Sequence, residues 1–403
     1  MRIGMMADVY KPHVSGVTNH IALTKKYLEE AGHEVYIFTF GDEDYIDDET
    51  NVIRSPGVPV MVPVAEMDVQ VNIRHSRSAQ YLLHTMDVVH VHHPFLSGQL
   101  ALRYCRNRGI PIVFTNHTRY DLYSHAYLPW IPEVFGETFL KAYMPNFCRS
   151  IDMVVAPSQG MKEILIKLGV NSQIEVVPNG VDLTNIDTNL QPFDQSEFGF
   201  SPTDIVFTYV GRLGPEKNLP FLLRAFGGVA QAYDNARLLI VGEGPEKENL
   251  EDRVLHMGLQ EKVQFTGLIP YDQLPNFLLM ADVFVTASIT EVHPLTVIEA
   301  MAAGLPVLGI QSPGVGDTVV DGKTGFLVSD DIAAFTAKMT RLLIEDAERK
   351  NMSQQAKIEA RKYAIERTSK ILVDRYEDVV ERKKEEEKSL LTKVILFYDK
   401  LRL

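Results

Sequence analysis

Short apolar runs recur along the chain with longer amphipathic stretches between them. In the first half they are Arg2–Ala7, Glu34–Phe40, Asp87–Pro94, Pro111–His117, Ile151–Ser158 and Ile174–Pro178. In the second half they are Ile205–Val210, Leu238–Pro245, Val263–Ile269, Ala281–Ala287 and Leu305–Ile310. Each has the length of a buried strand and is too short for a core helix. The stretches between predict helices over 18–31, 96–108, 294–303 and from Asp331 onward. Gly32 closes the first, and Gly304 with Pro306 closes the third. Strand, helix and strand in that order make βαβ units, hence an α/β chain built on parallel sheets. Two stretches read otherwise. Gln191–Thr203 is polar and proline-containing, as a linker would be, and DGKTGFLV, 321–328, reads as a hairpin-like return.

At 403 residues, two domains of roughly 150–200 each are expected. The 45% hydrophobic content is enough for real cores. A net charge of −13, shared by both halves, argues against nucleic acid as a partner. Two cysteines, Cys105 and Cys148, fit a reducing compartment. The first strand begins at the N-terminus without a signal-peptide pattern, and no apolar run approaches the ~20 residues of a membrane span. These features predict a cytoplasmic protein.

Candidate chemistry lies where the predicted strands end, the side on which open α/β sheets bind ligands. Gly16, after the first strand, would let backbone approach a ligand. Asp42 and Asp44 form a D-x-D pattern, but in a solvated acidic loop without further ligands. His90 and His92 share one strand face and His93 the other; no cysteine or carboxylate stands at ligand spacing, so polar lining of a cleft is favoured over zinc. His117 ends its strand. Arg212 and Lys217 leave another strand together, as a pair able to neutralise a diphosphate. LLIVGEGP, 238–245, fails the dinucleotide fingerprint because Lys247 replaces its third glycine. Glu291 and Glu299 flank a helix start at Pro294, on the order of 10 Å apart at ~1.5 Å per helical residue. Glycosidase pairs that retain configuration are closer, roughly 5–5.5 Å. The spacing suits one elongated ligand held at both ends, with the helix N-terminus over an anion between them and Thr296 on the face of Glu299.

The spacing of Glu291 and Glu299, followed by AMAAGLPV, resembles the E-x7-E motif of retaining glycosyltransferases of family 4, which have the GT-B fold: two Rossmann-like domains facing across a cleft. The resemblance extends over nearly the whole chain, short of the last twenty residues. It implies an N-terminal acceptor-side domain, 1–180, a nucleotide-sugar domain, 181–362, crossed into at PNGVD, 178–182, and a pair of helices within 363–403 that returns to the first domain. The donor diphosphate would face the Gly16 loop, Arg212 and Lys217. The base would meet backbone at Gly267 and Leu268, the sugar Glu291 and the ribose Glu299. Donor contacts would run along His293, Pro294, Leu295 and Thr296, with Pro294 where the family usually has glycine. His117 would lie by the reacting sugar. His117, Arg212, Lys217 and Glu291 are thus the implied catalytic set, with no metal and no cofactor.

NHTRYDLYSHAYLP, 116–129, is similar to the acceptor-side loop of bacterial diacylglycerol glucosyltransferases, and Tyr120, Tyr123, Tyr127 and Trp130 would be its wall. The expected reaction is transfer of a hexose, glucose from UDP-glucose, to an acceptor hydroxyl with configuration retained, the acceptor being a lipid such as diacylglycerol. The alternatives are a soluble sugar or polyol acceptor, a sugar-nucleotide 2-epimerase, or a non-catalytic glycan- or lipid-binding relative. The tail supports the lipid reading. Leu391, Val394, Ile395, Tyr398 and Leu401 recur at helical spacing among Lys388, Lys393, Lys400 and Arg402, a net positive segment suited to the inner membrane face as a peripheral contact. Docking of the stripe on the first domain or on another subunit is its other reading.

Overall fold

The computed structural model describes residues 1–13, 15–42, 44–62, 67–122, 133–187 and 190–401, with side chains except at 59–71, 133–135, 185, 187 and 390–401. Among the described residues, nine strands belong to the first half. Seven of them, β1 (Arg2–Met6), β2 (Glu34–Phe40), β3 (Val52–Ser55), β6 (Val88–Val91), β7 (Ile112–Thr115), β8 (Met153–Ala156) and β9 (Ile174–Val176), form one parallel sheet in the order β3-β2-β1-β6-β7-β8-β9. The other two, β4 (Val58–Val62) and β5 (Met67–Val71), make a separate antiparallel hairpin. The second sheet holds β10 (Ile205–Val210), β11 (Ala236–Val241), β12 (Val263–Gly267), β13 (Val283–Thr286), β14 (Val307–Ile310) and β15 (Gly325–Val328) in the order β12-β11-β10-β13-β14-β15. Both orders reverse direction once, between β1 and β6 and between β10 and β13. That reversal is the switch point of a doubly wound sheet. The chain is therefore α/β with two Rossmann-like domains.

Central strands buried on both faces explain the near-continuous apolar runs. β6, β7, β8, β13 and β14 are buried at every position. Phe207, Leu238, Ile240, Val285 and Leu308 pack beneath the helices Leu219–Ala232 and Ile332–Ile344, while Phe38, Val89, Phe114 and Val154 anchor a cluster in the first domain.

Three expectations change. DGKTGFLV makes no hairpin: β15 pairs parallel with β14, Val307 opposite Gly325, as the sixth strand of a doubly wound sheet. Gln191–Thr203 is not a free linker, because Phe193 and Phe198 pack on Phe277 and Phe200 is 3% exposed. In place of the expected pair of returning helices there is one, Ile365–Leu401. No proline or glycine interrupts it, which is why it runs on. It does return: Leu372, Tyr376, Val379 and Val380 join Ile3, Met5 and Val113 in one buried cluster. The crossing is tight. Val181 bridges Ala364, and a Cβ on Gly180 would lie 2.2 Å from Thr368 Oγ1 and 2.7 Å from Ile365 Cα. Among the described residues no helix is long and apolar enough to cross a membrane.

Candidate active site

The loops that follow the four strands flanking the two switch points carry most of the candidate chemistry. After β1 comes the helix Gly16–Glu30, whose N-cap Ser15 accepts from Thr18 N and forms a capping box. Gly16 is exposed, with open space where a Cβ would point. The side chain of His20, one turn on, is buried. After β6 come His92 and His93; after β7 comes His117. His92 Nδ1 and His117 Nε2 share a hydrogen bond of 3.0 Å, and the His20 ring lies 4.9 Å from that of His117. Ligand atoms of His20, His92 and His117 all fall within 4.8 Å of one another. The strand pattern could not reveal this cluster, because it takes His20 from the helix after β1, far along the chain from β6 and β7.

Burial pushes the imidazoles down. His20 falls to about 4 and His90 to about 3, with His92 and His117 well below the ordinary value, because desolvation disfavours the charged ring and neighbouring histidines add repulsion. His90 is engaged elsewhere, at Tyr376 Oη (2.5 Å) and Thr115 Oγ1 (2.7 Å), which ties the β6 strand to the returning helix.

In the second domain, Arg212 and Lys217 follow β10. Lys217 sits at the end of a 3-10 turn, Pro215–Lys217, and its Nζ lies 2.6 Å from Glu291 Oε1. Burial would raise the Glu291 carboxyl, but the charge and hydrogen bond of Lys217, with Ser288, hold it below its ordinary value. Arg212 Nη2 lies 3.6 Å from Glu216, whose side chain is 1% exposed. Gly314, in the first turn of the short helix Pro313–Thr318 that follows β14, donates to Glu291 O at 3.1 Å, and a Cβ there would stand 2.5 Å from that oxygen. Glycine is what lets that helix start touch the loop after β13.

The loop after β13 bridges the domains. Val292 packs in the first domain's cluster, and His293 O accepts from Asn179 Nδ2 at 3.2 Å. His293 is buried against Tyr363, and burial with the field of His20 lowers it to about 3. Pro294 is the N-cap of the helix Leu295–Ala303 and offers no side-chain cap, so its first N–H groups rely on other partners. Leu295 and Thr296 are half-buried at that start. Glu299, 5% exposed, accepts a hydrogen bond from Tyr271 and is raised by burial to about 7. Gly267 ends β12 at φ 71° and Leu268 beside it is 75% exposed.

Comparison with known proteins fits this arrangement. Residues 14–185 match the family profile "Glycosyltransferase Family 4", and 191–359 match "Glycosyl transferases group 1". The chain is 30% identical over 336 residues to an alpha-monoglucosyldiacylglycerol synthase of Streptococcus pneumoniae, an alignment covering 81% of this chain and 75% of that protein. The chain belongs to glycosyltransferase family 4. The alpha-monoglucosyldiacylglycerol synthase of Acholeplasma laidlawii is 28% identical across 95% of this chain and 98% of its own. Among solved structures, HepE of Anabaena with UDP and glucose superposes with a TM-score of 0.73 at 18% identity, covering 94% of this chain and 100% of that one. Sucrose-phosphate synthase of Thermosynechococcus elongatus gives 0.74 at 20%, covering 94% and 98%. The fold of this glycosyltransferase is GT-B.

The structure brings Lys217 to Glu291 and His117 to His92 and His20. Among the described residues, Asp42 and Asp44 join no cluster of ligating side chains, and Asp42 Oδ1 accepts from Asp44 N in a local turn. In the first domain, Tyr120 stacks edge-on against Phe95, which also meets Tyr143 and Phe139. Tyr123, Tyr127 and Trp130 lie outside the described residues. His20, Gly314 and Tyr271 were missed by sequence reading. Only the glycine had a signal, its place in Gly314-Val-Gly316 after a strand.

Proposed function

We propose that this glycosyltransferase moves glucose from UDP-glucose to a hydroxyl of diacylglycerol or a similar lipid, keeping the α configuration and using no metal. The observation that carries the reading is the Lys217–Glu291 pair at the second domain's switch point, 2.6 Å apart. It sets a cation for a leaving diphosphate beside a carboxylate for a sugar. Arg212 and the uncapped helix start at 294–296 add positive potential where negative charge develops. Glu299 takes a ribose hydroxyl. Same-face attack assisted by the leaving phosphate needs no covalent carboxylate, and His117 orients sugar and acceptor hydroxyl. The two alpha-monoglucosyldiacylglycerol synthases support the lipid and the glucose, and HepE bound to UDP supports the nucleotide.

Product mass and anomeric NMR from a panel of UDP- and GDP-sugars with lipid and soluble acceptors test the proposal directly. Transfer to soluble sugars alone removes the lipid, and a changed sugar nucleotide without an acceptor makes the chain a 2-epimerase. Turnover at saturating donor will survive EDTA, because the cations of Arg212 and Lys217 do the work a metal does elsewhere. Activity lost to EDTA and restored by Mn²⁺ refutes this.

Backbone in 388–401 is helical, and the side chains from residue 390 lie outside the described residues. With the basic, apolar pattern of the tail, the full-length protein will sediment with anionic vesicles. Removing 388–403 will weaken that while sparing UDP binding, and salt will weaken it by screening. Equal sedimentation of the truncated and full-length proteins makes the tail a packing element.

A further inference from the structure

We infer that His92 is a positioning residue that holds His117 as its Nδ1–H tautomer, so that His117 meets the ligand as a hydrogen-bond donor and not as a base. The inference rests on the proposed transfer reaction for its catalytic meaning, but its geometry stands apart from it. His92 is 0% exposed. Its Nδ1 lies 3.0 Å from His117 Nε2, and its Nε2 is buried without any hydrogen-bond partner among the described residues. His90, the ring packed on it at 4.2 Å, has both nitrogens committed to Tyr376 and Thr115 and cannot serve it.

One proton lies between His92 and His117, and the orphan nitrogen decides its owner. Were it on His117, neutral His92 would carry its own proton on Nε2, a buried N–H with no acceptor, which folded proteins avoid. With the proton on His92 Nδ1, the orphan Nε2 is a bare lone pair and His117 Nε2 is an acceptor. The remaining proton of neutral His117 is then on Nδ1. His117 is the partly exposed member of the trio, and its ring makes no other hydrogen bond among the described residues. Its Nδ1–H is left to a substrate oxygen.

A metal shared by His20, His92 and His117 is the competing occupant of this cluster. Ligation through His92 Nδ1 would put the proton on the same orphan Nε2, with no outer partner of the sort that ligating histidines keep. Ligation through Nε2 would leave Nδ1–H donating to His117 Nε2, so that His117 could join the metal only through Nδ1. The His92–His117 hydrogen bond is the interaction the geometry shows, and the Zn²⁺ titration below separates the two occupants.

The test uses full-length protein labelled with ¹⁵N-histidine. Two-bond ¹H–¹⁵N correlations will show His117 as the Nδ1–H tautomer in the parent. His92→Phe, which keeps the ring and removes the donor, will shift His117 away from that tautomer. It will lower kcat about 10–100-fold with donor KM nearly unchanged, a smaller loss than deleting a transition-state donor outright. His92→Asn places an amide donor near the lost Nδ1 and will restore the tautomer and most of kcat. Should His92→Phe not fold, the parent and His92→Asn spectra decide. An Nε2–H His117 in the parent overturns the inference, as does unchanged kcat in a folded His92→Phe. Stoichiometric Zn²⁺ binding by the parent that His92→Phe abolishes also overturns it. If no transfer activity is found but the tautomer is as stated, the reaction reading fails and the positioning stands.

Discussion

Lys217→Ala will lower kcat about 10²–10³-fold and raise the UDP dissociation constant about 10–100-fold, while also destabilising the free protein. The kinetic figure is that of removing one preorganised donor from a developing anion. The binding figure comes from losing a hydrogen bond to a charged group, about 1.5–3 kcal/mol. The stability loss has a different origin. Lys217 and Glu291 side chains are only 17% and 20% exposed, so removing the cation strands a largely desolvated carboxylate. Breaking a fully buried pair costs about 3–5 kcal/mol, and partial exposure puts this one near or below the lower end.

The two effects separate in a cycle. Glu291→Gln added to Lys217→Ala will recover much of the lost Tm, because an amide costs less to bury than an unpaired charge, yet kcat will stay low. If kcat of Lys217→Ala stays within about threefold of the parent, a loss far below the one expected for such a donor, the leaving-group role is wrong. Recovery of kcat in the double variant would reduce the pair to a structural ion pair.

Legibility in the sequence depended on whether a feature is periodic or emergent. The strands β1, β2, β6, β7, β10, β13 and β14 announce themselves as apolar runs, because a strand covered on both faces has no polar side to break the pattern. The strand β3 went unread because a short, half-buried strand carries little signal, and the hairpin of β4 and β5 went unread with it. β15 misled for a chemical reason. Gly322 and Gly325 look like turn residues, and Gly325 does hold φ 157°, but the strand that Gly325 opens pairs parallel with β14. The Glu291 and Glu299 spacing was visible; the contact of Lys217 with Glu291 across 74 residues was not. His20 was invisible for the same reason. On a helix it reads as one polar residue among several, and only the crossing of β1, β6 and β7 places it against His92 and His117.

Those gathered histidines give the last expectation, a steep loss of stability between pH 6.5 and 5. His20 and His75 sit at about 4 and His90 and His293 at about 3 in the folded chain, against 6.5 when unfolded, and none is more than 7% exposed. Below 6.5 the unfolded chain takes up protons that the folded chain refuses, so stability falls as pH falls. At pH 5 each contributes a loss of about 2 kcal/mol and the four together about 8, at ~1.36 kcal/mol per pH unit. Glu299 works the other way: its folded value, about 7, exceeds 4.5, so acidification relieves it. That returns about 2 kcal/mol over the same window. Carboxylates held low, such as Glu291, keep their contribution until the pH falls through their folded values, below this window. The net loss, about 6 kcal/mol, is comparable to the whole stability of an ordinary domain, about 5–15 kcal/mol. Urea unfolding at pH 7.5, 6 and 5 will show it as a falling midpoint. His75→Phe, at a ring stacked on Phe40 and away from the site, will flatten the slope by close to one proton. A midpoint that stays level from pH 7.5 to 5 would mean that these imidazoles are not held neutral by burial.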